Sequence, residues 1–502
     1  MKMITCPYCF EVFEHDKVHF RSERVSKGMN PYIPSDYDDM DEFIQKYNGD
    51  DKAEILTKCD EWDFFKEGED QKYADFWRKY GGVTTEEITA QRASYRRKVI
   101  DPSDLVHQRY LKKQLNSDEY LYKVEGFATS ITLTSGEMCT QRVCPKCHNP
   151  LPSQYGKNEA RFIAVIGVTG AGKTVYLSQL IYNFENYVVK TGLAALQTTD
   201  SPLRFLRNNI VNTRNPLPGA TPPGNFLQPL FYDLSKLDEN GHKKVYTLVI
   251  YDVAGENCDM EKSQSWFGPF IQNMHGIFLL IDPMQFDVIQ GLAHGDDKEQ
   301  LGRPMSVLHT IHNSITQGKE GKCDIPLAIC ISKSDMPEVQ NVMEEDLVDA
   351  LMDDVEPVGG NDTDKLVTKF NATQYNPIAG KLRTFMRTNE RALENFVNVN
   401  YSCYNYFAFT SLGCGVEDNI PEGPIMPKRI EEPLLWLFYM FGFIGTTETV
   451  EGDTKCPICG KRGYRKELEG EDRIRVVKKG LFGKKKEEFD YYCENCDNYY
   501  NI

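Results

Sequence analysis

The eight residues Gly-Val-Thr-Gly-Ala-Gly-Lys-Thr at 167–174 constrain this chain more than any other stretch. They fit G-x-x-x-x-G-K-[ST] and follow the apolar run Phe-Ile-Ala-Val-Ile at 162–166, the order of a buried strand, a phosphate-binding loop and a helix. Glycines let backbone N–H groups close around phosphate oxygens where a Cβ would intrude, and the helix N-terminus adds positive dipole. On this reading Gly167, Thr169, Gly170, Ala171, Gly172 and Val175 wrap the phosphates, and Lys173 reaches the β- and γ-phosphates. The Thr174 hydroxyl takes a place on Mg2+. Residues 175–182 continue with apolar side chains at helical spacing, which argues against a chance glycine turn. The sequence is expected to bind a nucleoside triphosphate.

A length of 502 residues leaves room for two to four domains. Hydrophobic residues at 40% and charged residues at 26% are ordinary for a globular protein, and a net charge of −16 argues against a general nucleic-acid coat. The opening Met-Lys-Met-Ile-Thr-Cys does not resemble a signal peptide. The longest apolar stretch, 433–444, is shorter than the roughly 20 residues of a membrane span and reads as a buried helix. Eight of the fifteen cysteines fall in four Cys-x-x-Cys pairs, a pattern that fits zinc in a reducing cytoplasm better than a disulfide scaffold. A cytoplasmic protein is expected.

Two of those pairs, Cys6/Cys9 and Cys144/Cys147, have the Cys-Pro-x-Cys form of a zinc knuckle, each offering two thiolates to one tetrahedral ion. Residues 1–9 and 139–155 then form one split zinc module, with the metal fastening the N-terminus to the edge of the next domain. Cys139 and His148 lie close by in sequence and read as bystanders. Residues 10–138 become an acidic, largely helical insertion, with an acidic run at 35–42 and a hairpin around 127–134. At the other end Cys456, Cys459, Cys493 and Cys496 have the spacing of a second structural zinc site, a ribbon over 450–502. The basic stretch 473–486 between them is the one place where nucleic acid could bind; a solvated hairpin offset by Glu487 and Glu488 is the plainer alternative.

From residue 160 apolar strand candidates at 161–166, 226–233, 245–252, 276–282, 325–332 and 405–410 alternate with helical stretches. A mainly parallel sheet covered on both faces follows, with ligands at the carboxyl ends of its strands. Asp252 ends the third candidate, where a carboxylate can hold Mg2+ through water. The spacing Asp252-Val-Ala-Gly255 lets the Gly255 N–H meet a γ-phosphate, which makes the segment sensitive to hydrolysis.

Residues 332–335, Ser-Lys-Ser-Asp, follow the fifth candidate, and here the chain resembles the P-loop GTPases, whose base motif is [NT]-K-x-D. The resemblance implies that Asp335 accepts from the guanine N1–H and exocyclic amine while the Lys333 stem covers the base; Ser332 departs from the usual Asn or Thr. It also implies that backbone around Ser411 and Leu412 contacts guanine O6, and that a switch threonine, best matched by Thr221 with Thr198 and Thr199 as rivals, joins Mg2+. Glu256 stands where many of these GTPases carry a water-orienting Gln, so slow turnover that depends on a protein partner or on self-association is expected. The resemblance covers 160–445 and is nearest the translation-factor-related (TRAFAC) class, which implies a six-stranded sheet with one antiparallel strand. Within that class the motifs, the cysteine pairs and the 431–436 stretch are reminiscent of bacterial double-GTPase-like proteins, proposed to act as switches in conflict or stress systems.

The leading expectation is a GTP- and GDP-binding, GTP-hydrolysing switch with Mg2+ and two structural zinc ions. Lys173, Gly255 and Glu256 would act on the γ-phosphate. An ATPase using the same phosphate loop is the second reading, against which Asp335 speaks. A zinc-ribbon scaffold or nucleic-acid-binding protein with a nucleotide-sensing domain is the third.

Overall fold

A computed structural model describes the chain apart from residues 1, 38, 82–92, 116, 169, 220–225, 227, 238–240, 255–260, 291–303, 319–320, 354–368, 447–464, 468–473, 481–482, 489–490, 494–497 and 501–502. Its centre is a sheet of seven strands: β1 (Glu159–Gly167), β2 (Ala194–Gln197), β3 (Leu230–Leu237), β4 (Lys243–Ala254), β5 (Gly276–Ile281), β6 (Leu327–Ile331) and β7 (Tyr404–Ala408). Their order is β2-β3-β4-β1-β5-β6-β7. The pairs β4–β1, β1–β5, β5–β6 and β6–β7 are parallel, while β3 runs antiparallel to both its neighbours. Every residue of β5 and β6 is buried. Such unbroken Val/Ile/Leu runs are the mark of parallel strands with both faces covered.

Six strands were expected and the sheet has seven. The addition, β2, is a short edge strand of sequence Ala-Ala-Leu-Gln with Leu196 exposed. Its low β-propensity hid it. The one antiparallel strand is present as expected, displaced toward 237.

In a parallel pair, residues side by side in register share a face. Phe162, Ala164 and Tyr251 therefore share one face, and Val165 and Phe278 share the other. Helix α1 (Lys173–Tyr182) lies over the second face: Tyr176 meets Phe278 edge-on at 6.4 Å, stacks on Phe409 at 4.4 Å and donates its hydroxyl to the Ile430 carbonyl. Helix α2 (Ala372–Asn389) stacks Tyr375 on Phe407 of β7. Helix α3 (Glu432–Met440) packs against β6 and buries Pro433 through Phe438. The apolar stretch that ends the domain is thus a core helix, and no helix among the described residues is long and apolar enough to cross a membrane.

The first face is covered partly by Glu261–Gln272, which brings Phe270 to 5.2 Å from Tyr251, and partly by the N-terminus of the chain. Phe10 packs on Phe162, Tyr251 and Phe270, Tyr8 packs on Phe231, and the Tyr251 hydroxyl donates to the Pro7 carbonyl at 2.8 Å. The N-terminal segment therefore sits on the sheet face and not at the domain edge that the sequence suggested. Aromatic side chains at 8 and 10 bury too much surface to remain on a rim. Among its described residues the 10–138 stretch combines helices with short strands. Helices Met40–Lys46, Lys52–Phe64 and Gln71–Tyr80 accompany a three-stranded antiparallel sheet of Leu121–Val124, Phe127–Thr132 and Met138–Cys139. A second small sheet sets His19–Arg21 between Val99–Ile100 and Gln141–Val143, because the run into the second knuckle needs partners for its backbone.

His275, just before β5, joins that strand to β1. Its N–H donates to the Phe162 carbonyl at 2.8 Å and its Nδ1 accepts the Phe162 N–H at 3.1 Å. Burial, then Arg161 nearby, lowers its pKa to about 4. A histidine depressed from about 6.5 contributes stability that is whole above pH 6.5 and is lost as pH falls toward 4, because the unfolded chain binds the proton first. Wild type should lose about 1 kcal/mol through this group between pH 7.5 and 5.5. Urea unfolding at the two pH values should show that difference shrinking in His275→Gln; an identical pH dependence would refute the assignment.

Candidate nucleotide-binding site and metal centre

The parallel register brings the sequence-predicted groups to one end of the sheet. Asp252 of β4 lies beside Val165, and Ala254 beside Gly167, where β1 ends and the glycine-rich loop begins. Gly170 and Gly172 have φ of +83° and +70°, left-handed values that L side chains rarely adopt, so the loop turns where only glycine is comfortable. Gly172 caps α1 and has no side chain to occupy the helix N-terminus, which begins at Lys173. Thr174, Ala171 and Val175 are buried in the same turn.

Lys173 Nζ lies 2.6 Å from Asp252 Oδ1, with both side chains more than nine-tenths buried. Deleting one member of such a pair leaves the other charge buried and uncompensated, typically at a cost of about 3–5 kcal/mol. The pair has the chemistry of a phosphate–metal site. The ammonium matches phosphoryl oxygens, and the carboxylate together with the neighbouring Thr174 hydroxyl gives an all-oxygen donor set suited to Mg2+. On residue types this end of the sheet fits a nucleotide phosphate chain with a hard cation.

The base motif follows β6. Ser332 is buried, and both its N–H and its hydroxyl donate to the Ile281 carbonyl, at 3.1 and 3.0 Å. The Ser334 N–H donates to the Phe409 carbonyl at 3.3 Å. The Ser332 hydroxyl and the Ser334 backbone thus lock the motif between β5 and the end of β7, which gives the serine at 332 a structural use. Lys333 has φ of +55° and is half-buried, as is Asp335. Ser411 and Leu412 follow β7 and are half-buried. They are held by Thr410, whose hydroxyl accepts from the Gly413 N–H, and by the Met426 N–H on the Leu412 carbonyl. Asp282, the residue after β5, was not singled out from the sequence, yet it is buried here and pairs with Lys333 at 2.8 Å. Its signal was available: an acid ending an apolar strand, the pattern that had pointed to Asp252.

Cys6, Cys9, Cys144 and Cys147 converge, their sulfurs all within 4.8 Å of one another. Cys6–Cys147 and Cys9–Cys144 are each separated by 3.7 Å. A tetrahedral zinc–thiolate site with bonds of about 2.3 Å requires sulfurs about 3.8 Å apart, so the four residues fit such an ion. Each knuckle closes alike: Phe10 N–H donates to the Cys6 carbonyl and His148 N–H to that of Cys144, with Tyr8 and Lys146 N–H groups directed at Cys6 and Cys144 sulfur. Burial pushes the Cys6 and Cys147 thiols upward, while hydrogen bonds from Cys144, Cys147 and Cys6 pull Cys9 down, so the four sulfurs behave as one interacting set. Cys139 stands outside this cluster, and His148 turns its Nδ1 to Asp70 at 2.8 Å. Cys59, Cys323, Cys330 and Cys403 are buried packing residues.

Thr169, Thr221, Gly255, Glu256, Cys456, Cys459 and Cys496 lie outside the described residues. Cys493 is seen as backbone only, in the strand Tyr491–Cys493 of a small antiparallel sheet with Arg465–Glu467 and Asn498–Tyr500. The basic stretch is paired as Ile474–Gly480 against Gly483–Glu488.

Residues 161–377 match the family model Double-GTPase 2. The matched segment holds the phosphate loop, Asp252 and the Ser332–Asp335 motif, so this part of the chain is similar to double-GTPase domains. The chain is 26% identical over 207 residues to SaeC of Mycolicibacterium smegmatis, provisionally described as an ESX-1 scaffolding and assembly protein; the match takes in 39% of this chain and 51% of SaeC. The chain thus spans about half the length of that curated relative. Among solved structures, the GTP-bound GTPase-like domain of Ski7 from S. cerevisiae overlaps 63% of this chain and 56% of its own at 15% identity, with a TM-score of 0.25. Sup35 complexed with GDP overlaps 54% and 43% at 13% identity, with a TM-score of 0.19. Overlaps this slight add nothing to the family match.

Gly413 offers a direct check on the last motif. Its φ is +70°, and a Cβ there would lie 2.3 Å from the Met426 carbonyl oxygen. Gly413→Ala should cost about 1–3 kcal/mol in urea unfolding and weaken nucleotide binding through displaced Ser411 and Leu412 backbone. Wild-type stability and affinity in that variant would show that the turn places nothing.

Proposed function

We propose that this chain is a guanine-nucleotide switch that binds GTP and GDP with Mg2+, hydrolyses GTP slowly, and is framed by structural zinc. The observation that carries this reading is the convergence of the phosphate loop, Asp252 and Ser332–Asp335 at the carboxyl ends of adjacent parallel strands, within a segment similar to double-GTPase domains. Lys173 and the loop amides bind the β- and γ-phosphates, Asp335 receives the guanine edge, and Ser411 and Leu412 supply backbone to O6. Bound Mg2+ would be held by Thr174 and Asp252, with Thr221 completing the set in the triphosphate state, and supplies charge neutralisation during phosphoryl transfer. The Gly255 N–H senses the γ-phosphate and Glu256 orients the attacking water.

Guanine recognition rests on one carboxylate, so Asp335→Asn is the decisive variant. Calorimetric titration should show wild type preferring GDP over ADP, and the variant should shift by about tenfold or more toward XDP, since each 1.4 kcal/mol is a factor of ten. An unchanged base preference would favour the ATPase reading.

Cys6, Cys9, Cys144 and Cys147 take one structural zinc and the C-terminal cysteines a second. Purified protein should hold about two zinc ions, and Cys147→Ser should lose one of them and unfold more readily, because metal binding is part of the folding free energy. Full zinc content in that variant would exclude the N-terminal site. The SaeC description suggests that what the switch controls is assembly of a protein partner.

A further inference from the structure

Asp282 is the group the nucleotide reading leaves without a task. It follows β5 directly, its side chain is 6% exposed, and it touches both halves of the site. Oδ1 accepts the Met284 N–H at 3.0 Å, and Oδ2 accepts from Lys333 Nζ at 2.8 Å. The same Oδ2 lies 3.2 Å from the point where a Cβ on Gly170 would stand, so it is packed against the glycine of the phosphate loop. The preceding carbonyl, that of Ile281, receives both Ser332 donors. Phosphate loop, Asp282 and base motif are therefore one continuous set of contacts.

A buried carboxylate beside a loop built for phosphates is an electrostatic liability. Coulomb repulsion between it and a bound phosphate is strong where water is excluded. A cation held close offsets it, and Lys333 provides that cation from the base motif while extending its stem over the base. We propose that Asp282 is a positioning residue that fixes Lys333 for guanine recognition, and that Lys333 in return cancels the Asp282 charge at the phosphate loop. This inference rests on the guanine-nucleotide reading above. It makes base recognition and phosphate binding interdependent through one ion pair: a base motif that fails to seat Lys333 leaves a negative charge facing the phosphates.

The consequence is a reversal of sign between two backgrounds, which a merely structural residue would not produce. Asp282→Asn keeps the shape and the acceptor for Met284 but releases Lys333; Lys333→Ala leaves the carboxylate bare. Dissociation constants for GDP and ADP should be measured on wild type, each single variant and the double variant, with zinc content and thermal melting confirming that each is folded. Asp282→Asn alone should narrow the GDP-over-ADP preference by about tenfold. Lys333→Ala should weaken both nucleotides, and adding Asp282→Asn to it should restore affinity for both by about tenfold. A double variant that binds no better than Lys333→Ala, or a single Asp282→Asn with wild-type selectivity, overturns the inference. A wild type without preference for GDP would instead overturn the functional reading beneath it, so the two failures are distinguishable.

Discussion

The nucleotide end of this molecule depends on one constraint: the parallel register that holds β1 between β4 and β5. Gly167 stands beside Ala254 on one side and Leu280 on the other, so the phosphate loop leaves the sheet where Asp252 and Asp282 also sit. A slip of one residue would turn every side chain of β4 to the opposite face and part Asp252 from Lys173. Both faces of the sheet are buried, so no such slip leaves the core intact. Hydrophobic packing, which knows nothing of nucleotides, thereby fixes the geometry on which the polar chemistry relies.

Much of this was legible in the sequence for the same reason. Runs such as Ile-Phe-Leu-Leu-Ile and Leu-Ala-Ile-Cys-Ile are too apolar to be anything but buried, and the polar residues ending them stand out. β2 was not legible, because an exposed edge strand of small residues carries neither alternation nor a buried run. The pairing of Cys6 and Cys9 with Cys144 and Cys147 could be read from spacing. That Phe10 and Tyr8 would carry the knuckle onto the sheet face could not, since which aromatic meets which surface is settled by tertiary packing. Asp282 was overlooked because no motif includes it, and its role appears only when Lys333 and Gly170 are seen on either side.

The two knuckles repeat one local design and share its cost. Phe10 and His148, the residues after the second cysteine of each, have φ of +57° and +51°, where glycine would be the relaxed choice. What holds them there differs. Phe10 is packed among Phe162, Phe226, Tyr251 and Phe270, and His148 is bound to Asp70, which also pairs with the buried Arg21 at 2.7 Å. Side chains that strain the backbone at the cysteine cluster are thus the ones that attach it to its surroundings. The Tyr251 hydroxyl on the Pro7 carbonyl continues that attachment to the residue before Asp252.

Cys9 and Cys144 are 135 residues apart in sequence and 3.7 Å apart in space, so the chain between them leaves and returns at a single point. The entropy of closing a loop grows only with the logarithm of its length, and each doubling adds about 0.6 kcal/mol. Lengthening or shortening loops within that segment therefore adds little closure cost, whereas Phe10, Asp70, Phe76 and Trp77 inside it pack on the sheet face or hold the cluster and are not free to be exchanged. The cysteine cluster works as a clasp: it fixes both ends of the segment at one seam, so that loop lengths within it are decoupled from the sheet beneath.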